Sequence, residues 1–279
     1  IRFRFDVSAM KSILKKCAIY GTALILGTVY LRINSLILGQ FQDRATVGIF
    51  GVALRSYELL LLIPFSFMNS VLPSLSAAHT DEKRFAHLLQ KSWDILIMVG
   101  LGMGIGSFIM AENMISLISS GSDFSGAANL MRVLIIASGF NFLSSLFQYV
   151  LVSLSQMRSF WLVTFIEAVF SILFATLFTR SLGAYATVWA IVIAQAIHFI
   201  GLLISAKKTT SIKLSLKTTT ATIFSATICA CFLVLTHPVF TSIHLLNNLK
   251  ANALIQLVAA FGTGGILYII LLIITGGLA

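Results

Sequence analysis

Residues 46–77 read TVGIFGVALRSYELLLLIPFSFMNSVLPSLSA. An α-helix crosses about 30 Å of hydrocarbon with about 20 apolar residues, and this stretch exceeds that length. Its only charges are Arg55 and Glu58. A charge at that depth costs several kcal/mol, so it faces a partner or a wet cavity and marks a functional site. The stretch therefore decides two things together: the chain spans a bilayer, and it keeps something polar inside it. That combination points to a protein that moves a polar group across a membrane.

Outward from this segment, seven more stretches reach spanning length, at 17–38, 92–111, 131–155, 159–179, 184–206, 219–236 and 251–276. Hydrophobic residues are 58% of the 279 and charged residues 10%. Soluble domains are about 25% charged, so a water-soluble fold is excluded. The expected fold class is all-α, a polytopic integral membrane helix bundle of about eight transmembrane helices: a six-helix lobe plus two trailing helices. The expected organisation is a basic interfacial segment at 1–16, a six-helix transporter lobe at 17–206, a basic cytoplasmic loop at 207–218, and two additional transmembrane helices at 219–279. Pro64 is expected to kink the second span, with its end near Pro73 at the interface.

The net charge of +10 does not indicate nucleic acid, because the basic residues sit in short loops between apolar spans. Of the 19, 13 lie on the side of the N-terminus and only Arg44, Arg132, Arg180 and Lys250 on the other. By the positive-inside rule both termini are expected in the cytoplasm. The chain opens at Ile1 without a signal-peptide pattern, which reads as a missing N-terminal portion. Cys17, Cys229 and Cys231 lie in apolar surroundings, with no second pair or histidine set to build a metal site; they read as buried inert thiols. No cofactor and no metal is expected.

Polar residues within spans supply the candidate site. On the second, Arg55, Glu58, Ser66, Asn69 and Pro73 fall on one stripe. Arg55 and Glu58, three apart, can neutralise one another and lock packing. Alternatively the stripe lines a hydrated cavity where Arg55 grips an anion such as phosphate through its planar fork. Arg32 on the first span either shares that cavity or snorkels to the interface. On the fourth span Ser138, Asn141, Ser145, Gln148 and Ser155 mark one face, read as a cavity wall. Glu167 on the fifth can bind a cation or carry a proton, or can pair with a neighbour such as Arg32 or Arg55. Gln195 and His198 on the sixth are three apart, and His198 reads as a packing hydrogen-bond donor or, alternatively, a proton relay. The run Gly100, Gly102, Gly104 and Gly106 lacks the spacing and the preceding strand of a phosphate loop, and reads as small residues for close helix approach. No nucleophile elbow, zinc motif or paired-carboxylate site appears, so no enzyme is expected.

The segment from Tyr30 to Ala78 resembles the seventh and eighth helices of bacterial polysaccharide transporters. These are the O-antigen and related lipid-linked oligosaccharide flippases of the multidrug/oligosaccharidyl-lipid/polysaccharide exporter superfamily. The likeness rests on Tyr30, Arg32, Ile33, Leu38, Gly39, Val47, Gly48, Ile49, Ala53, Arg55, Glu58, Pro64, Leu72, Pro73, Leu75 and Ser76. Gly121, Phe124, Ala127, Ala128 and Leu134 resemble the family's short outer loop leading into its tenth helix, and Leu182 to Ala186 resembles its Gly-Ala turn between the eleventh and twelfth helices. Asn34 stands where the family usually has Asp, and Phe50 where it has Tyr. The resemblance implies alternating access and the flipping of polyprenyl-pyrophosphate-linked glycan for cell-surface polysaccharide in the bacterial cytoplasmic membrane. The implied partners are membrane lipid, the glycan substrate and a missing N-terminal six-helix lobe. It implies that arginines in the cavity, Arg32 and Arg55, hold the diphosphate; with the polar residues read above, the candidate substrate residues are Arg32, Arg55, Glu58, Asn69, Asn141 and Gln148, and the ion-coupling candidates Asn34 and Glu167. Two alternatives stay open, a cation-coupled small-molecule exporter of the same superfamily and a non-transporting scaffold or assembly subunit.

Overall fold

The computed structural model describes residues 7–119, 125–210, 214, 215, 217–242 and 249–277, and among these there are helices and no strand. The helices are α1 (Val7–Phe41), α2 (Arg44–Ala77), α3 (Glu82–Ile109), α4 (Ala111–Ile118), α5 (Ser125–Ser153), α6 (Met157–Leu182), α7 (Ala184–Thr209), α8 (Lys217–Thr241) and α9 (Leu249–Ile274). All but α4 are long and apolar enough to cross a membrane, which makes this a multi-pass membrane protein. Backbone groups in hydrocarbon must be satisfied within the segment, which is why every spanning element is helical. The first part of the proposed interfacial segment, residues 1–6, lies outside the described residues, as do Gly121, Phe124 and Lys213. From Val7 onward the basic stretch already belongs to α1.

Local sequence sets the joints. Asp43 caps α2, its carboxylate accepting the Thr46 amide at 3.1 Å. The hydrogen bonds from Thr46 hold that carboxyl below the usual aspartate range. Asp81 caps α3 in the same way through the Arg84 amide. Gly183 joins α6 to α7 at φ 59°, a backbone conformation that costs glycine nothing. α2 passes through both Pro64 and Pro73 as one helix and ends at Ala78.

Two apolar storeys form the lobe. One gathers Tyr30, Leu38, Phe50, Tyr57, Ala127, Met131, Leu134 and Ile191 around the ends of α1, α2, α5 and α7 nearest the Gln42–Asp43 turn. The other gathers Met68, Leu75, Trp93, Phe147, Phe160 and Leu202 at the opposite end. α5 is the pillar of both, packing on α2, α3 and α7, while α1 packs mainly on α6. α8 and α9 pack on each other and against α3 and α4 through Met110, Leu233, Leu257 and Tyr268. The outer faces stay apolar, with Leu36, Leu177 and Ile274 exposed, as a lipid-facing surface requires.

The glycine run is a row of sockets. A Cβ at Gly100 would meet Phe142 of α5 at 3.1 Å, one at Gly102 would meet Tyr268 at 2.9 Å, and one at Gly106 would meet Phe261 at 2.6 Å. The glycines thus seat aromatic rings from α5 and α9 against the α3 backbone. Of the thiols only Cys229 is buried; Cys17 and Cys231 are exposed on their helices, contrary to the reading that all three are buried. A spacing of two places Cys229 and Cys231 on different helix faces, and only one of those faces is packed.

Candidate functional site

α1 and α2 are joined by a short turn, yet each packs chiefly elsewhere, α1 on α6 and α2 on α5. Between them lies a cleft of about 470 Å³, lined by Arg32 and Ser35 of α1, Gly48, Gly51, Val52, Leu54, Arg55 and Glu58 of α2, and Ile118 of α4. Gly48 and Gly51 leave the α2 wall open where the arginines emerge. Arg32 and Arg55 lie eleven and twelve residues from Asp43 along their helices. At 1.5 Å per residue both sit roughly 17 Å from the turn, near the middle of a 30 Å core.

Of the two readings of the second span, the Arg55–Glu58 couple within α2 is not the one that forms. Glu58 reaches across the cleft to Arg32, Oε1 to Nη2 at 3.0 Å. Helical periodicity makes Arg55 and Glu58 neighbours, but the spacing of α1 and α2 offers Glu58 a second guanidinium. Arg55 consequently makes no ion pair or hydrogen bond among the described residues. The Arg32 side chain keeps 62% of its surface exposed and Glu58 28%, so the pair borders open space. The arrangement presents one free guanidinium and one held by an internal carboxylate, a site suited to a multivalent anion.

The other expected site residues lie outside this cleft. Asn69 is on the same helix but about 16 Å further along, where its Oδ1 accepts the Tyr149 hydroxyl at 2.9 Å. Asn141 and Gln148 are half-buried on α5 and their side chains form no hydrogen bond among the described residues. On the same helix Ser138 and Ser145 are buried and bond to their own carbonyls of Ile135 and Phe142. Asn34 is fully buried, its Nδ2 donating to the Tyr30 carbonyl and to Ser171 Oγ, both at 2.9 Å. Glu167 is 2% exposed and partners neither arginine. Its Oε2 lies 2.6 Å from His198 Nδ1, and its Oε1 accepts from Gln195 Nε2 at 2.9 Å. α1 turns Arg32 toward α2 and away from α6, so Glu167 is served by α7 instead.

Three features escaped the sequence reading. Gln195 and His198 read as neighbours on one helix, yet they hold Glu167. The short helix α4, whose Ile118 closes one side of the cleft, lies between two expected spans; it is also tied to the trailing pair, its Asn113 bonding Gln256 of α9. An apolar groove of about 380 Å³ runs beside α3, lined by Gly102, Gly106, Leu233, Phe261, Gly264 and Leu272. No cluster of three metal-binding side chains occurs among the described residues.

Residues 1–129 match the model of a family described as polysaccharide biosynthesis protein. No curated protein matches the chain. Among solved structures the fold is similar to the lipid II flippase MurJ in its inward closed conformation, with TM-score 0.75 and 16% identity over 97% of this chain and 55% of that one. The chain thus spans 55% of the length of that transporter, and at this identity the likeness is one of fold. The family match thus covers the first 129 residues, and the likeness of fold extends over 97% of the chain.

Proposed function

We infer that this chain is a lobe of a flippase that moves polyprenyl-pyrophosphate-linked oligosaccharide across the bacterial cytoplasmic membrane for surface polysaccharide synthesis. One observation carries the reading: the unpartnered Arg55 guanidinium at mid-depth in an open cleft, with Arg32 opposite. A diphosphate is the group that two such forks hold best, since each phosphate accepts bidentate, charge-assisted hydrogen bonds. The protein's part is binding and reorientation, with no covalent step. Asn69, Asn141 and Gln148 would meet the sugars beyond the cleft, and the groove between α3, α8 and α9 would take the prenyl chain. Basic-loop asymmetry supports cytoplasmic termini.

The exposed apolar residues flanking the cleft, Leu24, Ile25 and Val29 on α1 and Leu59, Leu62 and Phe65 on α2, would meet a second six-helix lobe that completes the transport path. A cationic-drug exporter fits less well, because two arginines face one carboxylate in the cleft.

The test is Arg55→Ala in cells that rely on this protein for surface glycan. Losing one set of charge-assisted bonds worth about 1.5–3 kcal/mol lowers affinity for the diphosphate about 10- to 150-fold. Export should fall accordingly while membrane levels of the protein hold, and Arg55→Lys should recover part of it. Unchanged glycan export in Arg55→Ala cells overturns the reading, and drug efflux that survives with glycan export absent in the wild type favours the exporter.

A further inference from the structure

The short helix α4 serves two sides. Ala111 and Ile115 bury into the lobe, while Glu112 and Ser116, one turn apart, line a cavity against α9. α9 answers with Asn252 and Gln256, also one turn apart, and Thr241 at the end of α8 closes the side. The cavity holds about 220 Å³ and lies on the membrane face of the Gln42–Asp43 and Gly183 turns. It is separate from the arginine cleft, and its wall is polar apart from Ala253.

The hydrogens of this wall are already committed. Asn113, Asn252 and Gln256 have no more than 8% of their surface exposed. Asn113 Nδ2 donates to Gln256 Oε1, and Gln256 Nε2 donates in turn to the Thr241 carbonyl at 3.2 Å. Such amide bonds hold membrane helices together, but adhesion does not explain what the relay leaves over. With its amide hydrogens turned to α9, Asn113 has an Oδ1 that accepts from no described residue. Ser116 gives its hydroxyl hydrogen to the Asn113 carbonyl at 2.8 Å and Thr241 to the His237 carbonyl at 3.1 Å, so both oxygens offer lone pairs alone. Glu112 gives Oε1 to Arg132 Nη2 at 2.9 Å and keeps Oε2. Four acceptors thus border one cavity, while Arg132 is turned to Phe108, Asn129 and Glu112. An acceptor-rich wall selects a ligand that donates. The guanidinium beside Glu112 neutralises the one charge and repels a second cation, which disfavours a metal ion or an ammonium group. An anion would meet a carboxylate and lone pairs. A neutral group with several O–H donors fits, and that is the chemistry of a sugar ring.

We propose that this cavity is a sugar-binding site, holding a glycosyl unit of the transported glycan outside the arginine cleft. The proposal rests on the flippase reading for the source of the sugar, while the site itself stands on the geometry of α4 and α9. α4 links the two places: Glu112 lines the cavity and Ile118, six residues on, lines the cleft, roughly 9 Å away along the helix axis. A lipid-linked glycan is long enough to occupy both, its diphosphate between the arginines and a sugar beside α4. Under the cytoplasmic assignment of the termini this is the outer face, so the site receives sugar as it leaves the path. Arg132, which ties Glu112 to α5, is a positioning residue for it.

The test is saturation-transfer NMR of the full chain in nanodiscs of phosphatidylethanolamine and phosphatidylglycerol, prepared without glycosidic detergent, with glucose, galactose and N-acetylglucosamine as probes. At least one sugar should show transfer in the wild type. Its binding should weaken at least about tenfold in Glu112→Ala, which removes a charged acceptor. Ser116→Ala, which deletes only a hydroxyl, should weaken it about 2- to 10-fold and decides the matter if Glu112→Ala does not fold. No transfer from any of the three sugars, or equal transfer in wild type and both variants, overturns the proposal. Displacement of the sugar by millimolar calcium chloride overturns it in favour of a cation site. Export separates this site from the reading it builds on. Export lost in Arg55→Ala with no sugar bound sinks the sugar site alone, whereas Glu112-dependent sugar binding with export indifferent to Arg55 sinks the flippase reading.

Discussion

Glu58→Gln should make the cleft bind anions more tightly and transport more slowly. In the empty cleft Glu58 occupies Arg32 at 3.0 Å, so an incoming diphosphate must displace it. The displaced pair is exposed, and pairs of that kind contribute about 0.2–1 kcal/mol. The carboxylate also repels the ligand it yields to. At a separation of about 8 Å that repulsion is about 0.5 kcal/mol per ligand charge in water and about 2 kcal/mol at an effective dielectric constant of 20. Removing both terms tightens binding by about 1–3 kcal/mol, a gain of roughly 5- to 150-fold in affinity. The amide keeps the size and one acceptor oxygen, so α1 and α2 need not repack.

The assay is calorimetric titration of the purified protein with inorganic pyrophosphate at two salt concentrations, paired with export in cells. The gain should shrink as salt rises, because the Debye length falls to about 8 Å at physiological ionic strength. Export should drop even as binding improves, since a ligand that no internal anion displaces leaves slowly. Equal or weaker binding by Glu58→Gln, with Arg55→Ala weakened as expected, would show that Glu58 touches the ligand directly. The internal-competitor argument would then be wrong.

Other substitutions probe the scaffold that holds the site. Gly201→Ala drives a methyl to 2.8 Å from Val163 Cγ1, and a β-branched neighbour cannot swing aside, so the α6–α7 contact should lose about 1–3 kcal/mol, read as a lower Tm in detergent. Gly106→Leu should unseat Phe261 and loosen α9 from α3, seen as protease sensitivity of the trailing pair with the lobe intact. Asn34→Asp sets an acceptor against the Tyr30 carbonyl in place of a donor and should destabilise by about 1–3 kcal/mol at neutral pH, again by Tm. The Asp43 carboxyl, held low by Thr46, keeps its cap charged above the ordinary aspartate value of about 3.9 and loses it only as pH falls through its lower folded value; amide exchange at Thr46 should quicken only in that acid range.

What the sequence disclosed, and what it did not, follows from the period of a helix. Spans were legible because the bilayer imposes a length and an apolar content that nothing else in the chain satisfies. α4, with only Ala111–Ile118, imposes neither and so carries no comparable signal. Periodicity reports neighbours on one helix, which is why Arg55 and Glu58 read as a couple, while the choice of Arg32 depends on a gap between helices that no single helix encodes. Yet a further signal was present. In an antiparallel pair joined by a tight turn, residues equally far from the turn lie at equal depth. Glu167 and His198 are sixteen and fifteen residues from Gly183, and Arg32 and Arg55 eleven and twelve from Asp43. Counted from the joints rather than along the chain, the buried acid meets its base and the two guanidiniums meet across one opening. Tyr30 and Tyr57, thirteen and fourteen residues from Asp43, mirror each other as well. One or two residues of helix therefore separate what faces the cleft from what faces the buried polar layer, and a rotation of α1 or α2 that moves one must move the other.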